Sequence, residues 1–129
     1  MSEFVTGQRL AGKAAIVTGA ASGFGRAVAT RFASEGCRVI AGDINESGAA
    51  ETVKNAGGEH IGSALKMDVT SEADWKTAVQ EAESKFGRLD IIVNNAGWSY
   101  KNKVCSLQFY KLWEDTKCSC MSTLTCRPY

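Results

Sequence analysis

The chain has 129 residues, 44% hydrophobic and 22% charged, proportions that exclude a disordered or collagen-like polypeptide. This length holds one domain and leaves no room for separate cofactor and substrate domains. Fifteen Lys and Arg against fourteen Asp and Glu give a formal net charge of +1, which supplies no electrostatic basis for binding nucleic acid or an anionic membrane.

No apolar run reaches the length of a membrane span, and Met1 to Gly7 carry neither a basic nor a hydrophobic targeting region. The cytosol is the expected compartment, and the five cysteines are expected as reduced thiols. Composition divides the chain near residue 97. All 13 glycines lie at or before Gly97, while 98–129 hold four of the five cysteines and most of the Trp and Tyr residues. Residues 1–97 are therefore read as one folded segment and 98–129 as an atypical tail, poorly ordered or a short helix.

In chain order, short β-branched runs alternate with amphipathic stretches, the signature of parallel strands joined by crossover helices. A strand is predicted over 14–17, then a helix starting near Gly25 and closed by Gly36. A second strand over 38–41 leads to a helix starting near Glu46 and closed by Gly57-Gly58. A third strand over 64–67 precedes a helix whose start is marked by Thr70-Ser71, with Asp74 three residues after Ser71. Along that helix Trp75, Ala78, Val79, Ala82 and Phe86 repeat at helical spacing, and Gly87 ends it. The fourth strand is predicted over 89–93. The fold class is α/β, a Rossmann-type doubly wound parallel sheet truncated after about four strands, in the order 3-2-1-4. Right-handed crossovers place the first two helices on one face and the third on the other.

The turn Thr18-Gly19-Ala20-Ala21-Ser22-Gly23-Phe24-Gly25 leaves the first strand and opens the first helix. Gly19 permits a sharp exit, Gly23 lets backbone amides approach a ligand, and Gly25 lets the helix sit close on the sheet. Free amides at a helix start favour an anion, so a pyrophosphate is the expected occupant; the alternative is a plain tight turn. Asp43, at the end of the second strand, can accept hydrogen bonds from a ribose diol and repel a 2′-phosphate. Its neighbours Gly42, Ile44 and Asn45 supply no cation, so the pattern favours NAD, with NADP less favoured. Arg26 and Arg38 are possible phosphate partners, with a solvated helix face and a strand entrance as the plainer readings. Asp68-Val69 and Asn94-Asn95-Ala96-Gly97 end the third and fourth strands on the same edge. Turn chemistry is the structural alternative for Asp68, Asn94 and Asn95.

With these motifs in this order, the chain resembles the classical short-chain dehydrogenases/reductases over residues 10–103, nearest to 3-oxoacyl-carrier-protein reductases and sugar or polyol dehydrogenases. The resemblance implies an oxidoreductase of alcohol or carbonyl substrates whose dinucleotide cofactor meets Gly19, Ser22, Gly23, Phe24, Gly25, Asp43 and Ile44. It further implies Asp68 and Val69 at the adenine, and Asn94 to Gly97 lining the cleft and bracing the sheet. The family's later Ser and Tyr-x-x-x-Lys pair have no counterpart: Tyr100 is followed by Val104 and Tyr110 by Glu114 at that spacing. No catalytic residue is carried over, and the chain reads as the cofactor half of a longer protein or as a non-catalytic isoform or nucleotide-binding remnant. An open sheet edge and a bare face would then invite self-association or pairing with a full-length relative. In the tail, Cys105, Cys118, Cys120 and Cys126 have no Cys-x-x-Cys pair and read as thiols, with zinc as the alternative. The tail's change of composition is compatible with a splice, read-through or shifted frame.

Overall fold

The structure, a computed structural model, describes residues 7–97; the tail, with its four cysteines and the helix expected there, lies outside the described residues. Four parallel strands, β1 (Ala14–Thr18), β2 (Arg38–Asp43), β3 (Gly62–Lys66) and β4 (Ile91–Val93), form one sheet in the order β3-β2-β1-β4. Helices α1 (Gly23–Ser34), α2 (Glu46–Ala56) and α3 (Glu72–Phe86) connect them. This is the predicted α/β topology, with shifted boundaries. α1 begins two residues before Gly25, β3 is two residues earlier at its start and ends at Lys66, and β4 begins only at Ile91. The β3 shift follows from the loop, where Ile61 O accepts from Val39 N at 3.1 Å and starts the pairing before the apolar run does.

Side chains along the strands alternate between the two faces. Ala15, Val17, Val39 and Ala41 pack with Ala29 and Ala33 of α1 and Ala49 and Val53 of α2. Ile16, Ile40 and Met67 meet Ala78 and Ala82 of α3, with Trp75, Val79 and Phe86 at the margin of that core. The stripe read from the sequence is thus the buried stripe. Alanine at each helix–sheet contact lets the helix backbones approach the sheet closely. Ile92 shares the α3 face with Ile16 across the β1–β4 pairing and stays 47% exposed, so among the described residues that face is open over β4.

Helix ends follow local chemistry. Ser71 caps α3 by accepting from Asp74 N, and Gly87 ends it in the left-handed region at φ 74°. Asn45 caps α2 by accepting from Gly48 N at 3.1 Å. At the N-terminal ends of the strands, two ionic clusters tie the chain together. Glu35 Oε1 accepts from Arg9 at 2.7 Å and from Arg31 at 2.6 Å. Asp90 accepts two bonds from Arg88, at 2.7 and 2.6 Å, and a third from Ala14 N at 2.9 Å, fixing β4 beside β1.

Candidate functional site: a cleft at the C-terminal ends of the strands

β1 is buried along its whole length, and the glycine turn carries the chain out of it. Gly19 sits at φ +67°, and a Cβ there would stand 2.8 Å from Asn95 Nδ2 and 3.1 Å from the Ala96 backbone. At Gly25 a Cβ would fall 2.1 Å from Gly19 O. Gly25 therefore brings the start of α1 against the turn's own carbonyl and against Asn95, a closer partner than the sheet surface predicted for it. Among the described residues, no atom beyond the adjoining chain lies within 4 Å of the Cβ position at Gly23.

The β4 end is stitched to this turn by Thr18. Its hydroxyl donates to Val93 O at 3.2 Å and accepts from Asn95 N and Ala96 N, both at 3.0 Å. Asn95 Nδ2 in turn donates to Thr18 O at 3.2 Å. Asn95 and Ala96 thus brace the sheet, as the resemblance implied for the Asn94 to Gly97 run. Asn94 is exposed and contributes nothing to the wall of the cleft.

On the other flank stands Asp43. Its Oδ2 accepts from Ala21 N at 3.0 Å and its Oδ1 from Asn45 N at 2.9 Å. Two backbone donors fix the carboxylate plane and leave each oxygen a further lone pair. Asp68 Oδ1 accepts from Thr70 N at 2.9 Å and from Thr70 Oγ1 at 2.6 Å. Asp68 is therefore a turn residue as well as a cleft residue, and the Thr70 bonds, side chain first, hold its carboxyl below the ordinary range.

Between these flanks lies a cleft of about 520 Å³, within the size range of small-molecule sites. It is lined by Gly19, Ser22 and Phe24 of the glycine turn, by Asp43 and Ile44, by Asp68 and Val69, and by Asn95, Ala96 and Gly97. Ten of the thirteen residues singled out from sequence therefore meet in one place. Gly23, Gly25 and Asn94 do not border it, and Gly25 is buried beneath it. Phe24 and Ile44 are 85% and 71% exposed, two apolar side chains standing at a polar rim. Among the described residues, no Lys, Arg, His or Tyr lines the cleft.

Sequence reasoning missed two contributors and misplaced a third. Met67, read only as a strand residue, is buried and lines the cleft. Thr52, buried in α2, places its hydroxyl 2.7 Å from Ala20 O. Arg26 is not on a solvated helix face. It donates through Nε to Thr52 Oγ1 at 3.0 Å and through Nη2 to Ala21 O at 2.7 Å, with Glu51 at 3.8 Å. Arg38 stands at the opposite end of the sheet, at the strand entrance, with its guanidinium 5.8 Å from the Phe86 ring centre. There a larger hollow, of about 850 Å³, is bordered by Arg38, Lys54, His60 and Lys85, but it lies away from the C-terminal strand ends where open α/β sheets bind ligands.

The sequence profile of the family described as short chain dehydrogenase matches residues 13–126, beyond the 10–103 stretch that carries the recognisable motifs. The chain belongs to that family. It is 45% identical over 92 residues to 2,5-dichloro-2,5-cyclohexadiene-1,4-diol dehydrogenase from Sphingobium indicum, covering 69% of this chain and 36% of that protein. It is equally identical, over the same length, to D-threitol dehydrogenase from Mycolicibacterium smegmatis, covering 69% and 35%. Among solved structures, 3-ketoacyl-(acyl-carrier-protein) reductase from Brucella melitensis, complexed with NADH, superimposes with a TM-score of 0.70 at 40% identity, covering 79% of this chain and 43% of that one. The chain spans about a third of the length of the curated relatives it matches.

Proposed function

We propose that the cleft binds NAD in preference to NADP, and that it serves hydride transfer between NAD and an alcohol or carbonyl substrate in the cytosol. The observation that carries this reading is Asp43. Its carboxylate is oriented by two backbone donors at the cleft wall, where it can accept from both hydroxyls of a ribose diol and repel a phosphate placed there. Gly19, Ser22 and Phe24, with Gly23 and Gly25 behind them, hold the pyrophosphate at the start of α1. Asp68 and Val69 flank the adenine, and Asn95 to Gly97 form the far wall, with Asn94 beyond it. The bound dinucleotide supplies the hydride chemistry; the protein's own groups bind and orient it. Among the described residues the cleft wall carries no cation, and Arg26 is turned toward α2, so none of these residues holds a 2′-phosphate.

Titration of NADH and NADPH against the wild type and Asp43→Ala tests this. Loss of charge-assisted bonds should weaken NADH by about 1.5–3 kcal/mol and leave NADPH the same or tighter. A wild type that prefers NADPH sinks the assignment.

A second reading is supported by the described lining of the cleft, which includes no titratable acid–base group of the Tyr, Lys or His type: these residues form a nucleotide-binding module, and turnover needs residues from elsewhere, in the tail, a second copy or a longer relative. Assaying this chain with NAD and a panel of alcohols separates the two. Turnover at ordinary dehydrogenase rates would overturn the module reading.

A further inference from the structure

The geometry points to Thr52 and Arg26 as positioning residues that set the orientation of Asp43 from behind the cleft and so govern discrimination between the two dinucleotides; this rests on the NAD reading above. Neither residue lines the cleft. Thr52 is 1% exposed on α2, and Arg26 projects from the first turn of α1 toward it.

Four groups follow one another with every donor pointing the same way. Arg26 Nε donates to Thr52 Oγ1 at 3.0 Å. Thr52 Oγ1 donates to Ala20 O at 2.7 Å. That carbonyl belongs to the same planar peptide unit as Ala21 N, which donates to Asp43 Oδ2 at 3.0 Å. A trans peptide points its C=O and N–H in opposite directions. Pinning the Ala20 carbonyl on the α2 side therefore aims the Ala21 N–H at the carboxylate. The relay begins on a cation and ends on an anion, an arrangement in which each bond polarises the next.

Arg26 adds a second hold, because its Nη2 reaches Ala21 O at 2.7 Å and fixes the following peptide unit as well. Two successive peptides of the glycine turn are thus anchored from outside the cleft. The competing local role for Thr52 is the bond a mid-helix threonine makes to the carbonyl four residues earlier. Gly48 O does lie 3.1 Å from its hydroxyl. A hydroxyl has a single proton, and the shorter contact is to Ala20.

Thr52→Val removes the hydroxyl at nearly constant shape, and Thr52→Ser restores it. In the full chain, amide exchange followed by NMR should show the Ala21 N–H protected in the wild type and in Thr52→Ser. It should exchange about tenfold faster or more in Thr52→Val, with the amides of Ala78 and Ala82 in α3 unchanged. The ratio of NADH to NADPH affinity should fall about five- to tenfold in Thr52→Val, through NADH alone, and return in Thr52→Ser. Unchanged Ala21 exchange, or an unchanged ratio in folded Thr52→Val, overturns the proposal. Faster exchange at Ala21 in Thr52→Val, with a wild type that binds neither dinucleotide, would retain the relay as architecture and overturn its role in specificity. An Asp43→Ala variant with wild-type discrimination would instead remove the NAD reading itself.

Discussion

The two ends of the sheet solve opposite problems with the same types of residue. At the N-terminal ends, carboxylates are paired with cations. Glu35 takes two arginines, and Asp90 takes Arg88 with Lys13 at 4.0 Å. At the C-terminal ends, Asp43 and Asp68 are held by backbone amides and a hydroxyl, donors that orient a carboxylate without neutralising it. A neutralised carboxylate is a fastener, whereas an oriented and uncompensated one can still recognise a ligand. Substitutions at the N-terminal end should therefore show in stability, and those at the C-terminal end in binding.

The largest effect should come where the two roles coincide. Gly25→Ala places a Cβ 2.1 Å from Gly19 O and 2.7 Å from Asn95 Nδ2, and backbone on one side leaves little to yield. We expect about 3 kcal/mol of destabilisation, read from the denaturant midpoint, together with loss of measurable NADH binding. A variant that kept both would show that the start of α1 is free to move away from β1.

Thr18→Val tests the stitch between β1 and β4. The variant keeps the shape and deprives Ala96 N of its acceptor and Asn95 N of one of two. A loss of about 2 kcal/mol is expected, with the increase in amide exchange concentrated in 91–96. If exchange rose evenly over α1 and α2 instead, the stitch would not be the local fastener described above.

These first two positions also mark what could be read without coordinates. Gly87, Ser71 and the Asp43 carboxylate act through partners within a few residues or through a strand end, and periodicity places them. Gly19 and Asp43 meet because β1 and β2 are neighbours in a parallel sheet, which topology alone implies. Arg26 and Thr52 were opaque for the opposite reason. They are 26 residues apart, and Arg26 on an amphipathic helix looks solvated until α2 is docked beside it. Asn94 and Asn95 look alike in sequence, and only the Thr18 contacts decide which of them braces the turn. The β3 boundary moved because a parallel strand is defined by pairing with β2, which the apolar run does not report.

The ionic end should reveal itself in acid. Asp90 is held down to about 2, first by the Arg88 bonds, then by Ala14 N. A carboxylate with a depressed folded value stabilises fully above its ordinary value of 3.8 and loses that contribution as pH falls from there toward about 2. Glu35 lies at the same end and is lowered too, chiefly by Arg9. Thermal midpoints should therefore separate wild type from Asp90→Asn above about pH 4 and converge below it. A gap that stayed constant down to pH 2 would mean the amide's packing, not the charge, is responsible.

The smallest effect at neutral pH belongs to Cys37, which joins the two comparisons because it is buried between α1 and β2 near the ionic end. Its thiol is 1% exposed, and burial, then the nearby Asp90 charge, pushes it up to about 11 from an ordinary 9.0. A raised value keeps the neutral thiol, so the folded state gains stability that is complete below pH 9.0 and is lost as pH climbs through 11. The shift lowers the thiolate fraction at neutral pH about a hundredfold, before burial slows reagent access further. Iodoacetamide at pH 8 should therefore leave the Cys37 peptide unmodified in the native chain and label it on denaturation, with mass spectrometry separating that peptide from those of the tail. Native labelling at the denatured rate would show that the α1–β2 connection opens readily, and it would place the more labile end of the sheet opposite the cleft.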